Sequence, residues 1–479
     1  MTNVRSPKAF VLALTVVSAL ILSTQMQQAT VSSRLGKART LAQETAERDL
    51  TTALRLTARR HEKGAGRLGR TSAIKAAPAP GWTGERLMDP TADDWEPAVG
   101  TDPAAPYVYM ATTRYGGAKA CRSCPDPAIV VATSSDGGAT FGPARFICSC
   151  RNVKGQHDPE LEVASDGTVY AVWMNDFNPG VVFSKSTDRG QTWSTPIALD
   201  GKLSWSDKPI LAISPTGRDV YVVFNHSDSY VASSHNFGQT FSAPVKTNND
   251  NRYHFAGGGF VAANGTVTFS ETSYTQSSTG PVIVRTIRST DGGASWNATV
   301  VDTVQEQPPC TDVDCPPDYY GPQTALAGDA GGRLALLYQG ASTPGGPQRM
   351  YARSSTNAGA TWGARVDVTG APAGTNAAFP AAAGTGAGDF RAWFMDDRNG
   401  GASWNVWYIR STDGGTTWSA PVRLSDATSG TVYKNASGFN EPYGDYGEIE
   451  ITNAGKNFAV WGEGISYVGP GGTWFARSI

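Results

Sequence analysis

Charge is scarce in this sequence: Asp, Glu, Lys and Arg make up only 17% of its 479 residues. That scarcity excludes a coiled coil and a mainly disordered chain. Long apolar runs are missing too, since Ala9–Ser23 holds 15 residues where a membrane helix needs about 20. Basic residues are sparse over most of the chain. Residues 1–75 hold 13 Lys/Arg and 4 Asp/Glu, which leaves 27 against 38 (27 − 38 = −11) for the rest. An acidic main body excludes a nucleic-acid binder, whose affinity rests on neutralising phosphates. Cysteine is absent before Cys121.

What is present begins with Arg5 and Lys8 ahead of the apolar run, the n-region and h-region of a secretory signal over residues 1–24. Thr24–Gln28 offers no good small-x-small pattern, so an uncleaved anchor is the alternative. The protein is expected to be secreted or held at the outer face of the membrane. Residues 34–63 read as an Ala/Leu/Arg-rich helix and 73–80 as a Pro/Ala linker, so 25–80 form a basic spacer with a tendency toward the cell envelope. Residues 81–479 are the main domain. The cysteines come in tight pairs, Cys121/Cys124, Cys148/Cys150 and Cys310/Cys315, and an exported chain favours disulfides over zinc. The first two pairs flank what reads as one hairpin, so Cys121 and Cys124 are expected to bond to Cys148 and Cys150. Cys310 would close a small loop with Cys315.

Self-similarity organises the rest. An eight-residue phrase, Ser-x-Asp-x-Gly-x-Thr-Trp, recurs at 134–141, 186–193, 234–241, 289–296, 355–362 and 411–418. Asp or Asn can fold onto backbone N–H groups, Gly supplies a positive φ, and the closing Trp or Phe wedges into the core. The flanks alternate as strands do. The phrase is a hairpin turn, and its aspartates are structural.

This is the Asp-box repeat, and residues 81–479 resemble the sialidase (neuraminidase)-like β-propellers. A second repeat lies upstream of each box, a polar or aromatic lead-in often with Pro: Trp95-Glu96-Pro97, His157-Asp158-Pro159, Asp207-Lys208-Pro209, Tyr253-His254-Phe255, Tyr320-Gly321-Pro322, Ala378-Phe379-Pro380 and Tyr443-Gly444-Asp445. Seven lead-ins against six boxes predict an all-β, seven-bladed propeller, with six blades as the alternative. Trp474–Ser478 resembles a third strand and Glu85–Asp89 a fourth, so residues 84–89 should close the ring beside the last blade. Sialidases proper are six-bladed, so seven blades depart from that family.

In such propellers the lead-ins surround a concave channel mouth opposite the boxes, a common ligand site. The resemblance implies an acid/base Asp, a Tyr nucleophile activated by Glu, and three arginines clamping a substrate carboxylate. The order along the chain nominates Asp158, Glu271 and Tyr446 as catalytic residues. Arg114, Arg252 and Arg398 are the candidate clamp, with His157, Lys208, Tyr253 and His254 as further substrate-binding residues. The match is incomplete, because the family's Arg-Ile-Pro-like segment is replaced by Trp95-Glu96-Pro97. The expected activity is release of a terminal acidic sugar. Alternatives are a polysaccharide lyase using Tyr253 or His254 with Lys208 or Arg398, and a non-catalytic propeller binding glycan or protein. A carbohydrate partner and a monomer are expected. The reading calls for no cofactor and no metal ligands, and leaves a structural Ca²⁺ open.

Overall fold

The computed structural model describes residues 77–275, 280–306, 321–399, 404–425, 434–435, 438–439, 447–464 and 471–479. Its strands form seven four-stranded antiparallel sheets, which we number as blades in chain order. Blades 1 to 6 span 94–146, 156–198, 207–246, 253–304, 324–367 and 377–423. Blade 7 takes its first three strands from Gly447–Ile451, Asn457–Gly464 and Gly471–Arg477. Its outer strand is Arg86–Leu87, with Arg86 opposite Phe475 and Leu87 opposite Trp474. The ring therefore closes through residues 84–89 as the sequence predicts, and the six-bladed alternative is excluded. A separate two-stranded hairpin pairs Lys434–Asn435 with Gly438–Phe439.

The middle strands explain why the blades stack. Val169–Asn175 and Leu334–Gly340 are buried at every position, because both faces of a blade meet a neighbour. The core accordingly sits in the seams. One cluster joins blades 6 and 7 through Trp393, Trp404 and Trp461, and another joins blades 4 and 5 through Leu334, Leu336 and Tyr338. Burying one such side chain stabilises the fold by about 1.5–3 kcal/mol.

The box phrase forms the same turn in blades 1 to 6, between third and fourth strands. In blade 2 the Ser186 hydroxyl donates to Asp188 at 2.8 Å and accepts the Gly190 N–H at 2.8 Å. Asp188 also accepts the Thr192 N–H and hydroxyl at 2.8 and 2.5 Å. The Gly138 position shows why Gly is needed there: φ is 80°, and a Cβ would lie 2.2 Å from the Phe458 ring. Box aromatics such as Trp193 and Trp296 pack against the seam clusters.

The cysteine pairing differs from expectation. The disulfides are Cys121–Cys124 and Cys148–Cys150, within each pair and not between them. The two loops do meet, through the Asn152 N–H to the Ser123 carbonyl at 2.9 Å. However, the turn that directs the Cys124 N–H onto the Cys121 carbonyl brings those two Cα atoms to 5.0 Å, within bonding range. Cys310 and Cys315 lie outside the described residues, as do the signal and the basic spacer up to residue 76. Among the described residues no helix is long and apolar enough to cross a membrane.

Candidate functional site

First strands of neighbouring blades touch all the way round and form the inner ring. Four begin with the same irregularity. Register shifts between Trp95 and Ala98, His157 and Glu160, Asp207 and Ile210, and Ala378 and Ala381 mark a bulge in blades 1, 2, 3 and 6. At its centre Glu96, Asp158, Lys208 and Phe379 take φ of 55°, 52°, 46° and 55°, left-handed values unusual for non-glycine residues. Each precedes proline, which disfavours the right-handed helical conformation before it and needs no ladder hydrogen bond of its own. The lead-in repeat is thus a bulge motif, and bulges re-aim side chains beside functional sites.

Three of the four bulge residues are charged, and they occupy consecutive blades. Glu96 Oε2 accepts the Thr113 hydroxyl at 2.7 Å and the Asp158 N–H at 3.0 Å, across the seam from blade 1 to blade 2. His157 is buried, its Nδ1 3.4 Å from the Tyr115 hydroxyl. The Lys208 ammonium lies 5.9 Å from the centre of the Phe255 ring, which also packs against Tyr253 at 4.8 Å and Tyr274 at 5.8 Å between centroids. The Tyr253 hydroxyl donates to Asn225 Oδ1 at 3.4 Å.

Below the bulges, the first strands of blades 2 and 7 contribute four glutamates: Glu160, Glu162, Glu448 and Glu450. They are partly exposed and stand on the two strands that flank the first strand of blade 1. Glu160 and Glu448 hydrogen-bond each other, and Glu448 also accepts the Val99 N–H. Burial, then the charges of Glu450 and Asp158, pushes Glu160 up to about 8. Burial raises Glu450 to about 7, and burial together with neighbouring glutamates raises Glu162 and Glu448 well above the usual carboxylate range. A carboxyl that still holds its proton near neutrality can act as a general acid. Sequence reasoning missed this group, although Glu160-Leu161-Glu162 and Glu448-Ile449-Glu450 carry the period-two signal of one strand face.

Several nominated residues serve the scaffold instead. Arg114 is bidentate to Asp94, at 2.7 and 2.8 Å, and pairs with Asp89 at 3.1 Å. Arg252 donates to the Ser273 hydroxyl and to the Ser273 and Pro281 carbonyls. Arg398 pairs with Asp396, donates to the Thr369 carbonyl and stacks 3.9 Å from the Trp407 ring centre. Each guanidinium is turned to acceptors near its own strand, and the three stand at different blades, 1, 4 and 6. Glu271 is fully buried between blades 3 and 4, where it accepts from Arg285 at 2.6 Å and from the Ser229 hydroxyl. That geometry makes it the counter-ion of Arg285. His254 lies in the same interior network, 2.8 Å from Asp250, and burial with the Arg285 charge holds it below its ordinary value. Asp158 is brought to the mouth and buried there. Tyr446 lies outside the described residues.

Several solved structures are similar to this chain. A Hadza microbial sialidase is similar in structure at 15% identity, covering 81% of this chain and 65% of its own, with a TM-score of 0.42. An ulvan lyase from a new polysaccharide lyase family matches at 12% identity over 80% of this chain and 94% of its own, TM-score 0.47. A Trypanosoma rangeli sialidase mutant with trans-sialidase activity matches at 13% over 70% and 55%, TM-score 0.40. This chain therefore spans about two thirds or less of the two sialidases. No family profile matches the sequence, and no curated protein does.

Proposed function

We propose that this protein is a carbohydrate-active propeller that hydrolyses a glycosidic bond at the channel mouth of blades 7, 1 and 2. The observation carrying this reading is the placing of Glu160 and Glu448 as neighbouring carboxyls on the first strands of blades 2 and 7, which flank blade 1, with burial raising both so that they hold protons near neutrality. Glycoside hydrolysis needs a protonated acid for the leaving oxygen and a second carboxylate for water or the anomeric carbon. Glu160 is the acid in this reading, and Asp158, two residues along the same strand, is the companion carboxylate. Release of a terminal acidic sugar is its finer form. Lys208, at the equivalent bulge one blade on, is then the mouth cation that faces the sugar's carboxylate. The basic and apolar N-terminus and the paired cysteines support action outside the cytoplasm.

A lyase is the second reading, favoured by Tyr253 and Lys208 flanking the same Phe255 ring. A phenolate can take the proton beside a uronate carboxyl while a cation neutralises that carboxylate and the enolate that forms, and the glycosidic C–O bond then breaks to leave the unsaturated uronate. The test is a panel of aryl glycosides, including a sialoside, run beside a uronic-acid polymer. Sugar release that falls at least about 10²-fold in Glu160→Gln supports hydrolysis. Unsaturated uronates that disappear in Tyr253→Phe support the lyase. Glycan binding with neither product makes the mouth a recognition surface.

A further inference from the structure

Asp158 holds a left-handed conformation that costs a non-glycine residue of the order of 1–2 kcal/mol, so something must hold it there. Its N–H is bound across the seam by Glu96 Oε2 at 3.0 Å. The ring contains a natural control. Phe379 occupies the same bulge position in blade 6, and its N–H is bound across the seam by the neutral Gln339 Oε1, also at 3.0 Å. One hydrogen bond of the same length therefore secures two bulges, one carrying a carboxylate at the mouth and the other an apolar ring packed in a seam cluster.

We infer that Glu96 is a positioning residue: its hydrogen bond fixes the backbone at Asp158, and through it the direction of the Asp158 carboxylate beside Glu160. The inference rests on the reading that Asp158 belongs to the site. An anchor on a structural bulge contributes stability alone. An anchor on a functional bulge contributes stability and geometry, and a misplacement of about 1 Å can cost about 10²-fold in rate. Gln339 also shows that an amide oxygen suffices, so Glu96→Gln should keep the anchor whereas Glu96→Ala removes it.

The experiment compares Glu96→Ala, Glu96→Gln and Gln339→Ala in the full-length protein. It measures melting temperature, the amide resonance of residue 158, and kcat and KM on whichever glycoside the wild type cleaves. Expected are similar melting-temperature losses in the two alanine variants and a kcat lowered about 10²-fold in Glu96→Ala alone. Glu96→Gln should restore both kcat and the wild-type resonance. Equal kcat losses in Glu96→Ala and Gln339→Ala would reduce Glu96 to a scaffold residue. An unmoved residue-158 amide in Glu96→Ala would overturn the inference even if the wild type cleaves no glycoside, an outcome that would separately defeat the hydrolase reading.

Discussion

The box aspartates and the channel glutamates carry the same functional group and are driven to opposite ends of its range. Asp136, Asp188, Asp291 and Asp413 stand on exposed turns, yet hydrogen bonds from the Thr or Ser four residues on, led by its hydroxyl, hold each at about 2. Glu160 and Glu450 lie in the ring's interior, and burial, with neighbouring charge adding to it at Glu160, lifts them to about 8 and about 7. Donors decide the first case and burial decides the second. A carboxylate fixed as an anion can staple a turn but cannot deliver a proton near pH 7, whereas a carboxyl that ionises there can.

The sharpest way to break this contrast is through activity. Glu160→Gln should lower turnover at least about 10²-fold, while Asp188→Asn in the box leaves it unchanged, as measured on the glycoside found active. Equal losses would erase the distinction between the two faces.

Stability should follow with opposite signs. The channel glutamates have folded values above their unfolded ones, so between about pH 4.5 and 8 the native state holds protons that the unfolded chain has released. Stability from this group is full below that window and is lost as pH rises through it. A thermal melt at pH 5 should therefore lie several degrees above one at pH 8.5, and Glu160→Gln or Glu448→Gln should flatten the slope. The box aspartates have lowered values, so their contribution is present above about pH 4 and is lost as pH falls through about 2. A melt that does not change between pH 5 and 8.5 would contradict the channel assignment.

Ser186→Ala removes the hydroxyl that binds both Asp188 and the buried Gly190 N–H. It should cost about 1–3 kcal/mol at every pH and leave the slope between pH 5 and 8.5 untouched.

The fold was legible because its signals are local and repeated. Each box needs its own Ser, Asp and Gly to close one turn, so six copies mark six hairpins, and the echo of a fourth strand at Glu85–Asp89 marks the closure. The site was less legible because pairing depends on strand register and on the ring, not on a local phrase. Register sets Asp94 directly opposite Arg114 and Glu271 directly opposite Arg285, and neither pairing is marked in the sequence around those residues. Glu160 and Glu448 lie 288 positions apart, and only the ring brings them together. Cysteine pairing failed for a related reason: hairpin proximity was read correctly, but the short turns inside each pair brought the sulfurs together first. The smallest effect expected follows from this. Peptide mapping under non-reducing conditions should yield Cys121–Cys124 and Cys148–Cys150, and reduction should lower the melting temperature less than breaking cross-loop bonds would.

The central claim, that burial lifts the channel glutamates to neutrality or above, is tested most directly by carboxyl titration. The full-length protein would be labelled with carbon-13 at the glutamate side-chain carboxyls and followed by NMR from pH 4 to 9. The account predicts at least one glutamate titrating between about pH 7 and 8, lost in Glu160→Gln and moved in Glu448→Gln. A spectrum in which every glutamate has finished titrating by about pH 5.5 would contradict it.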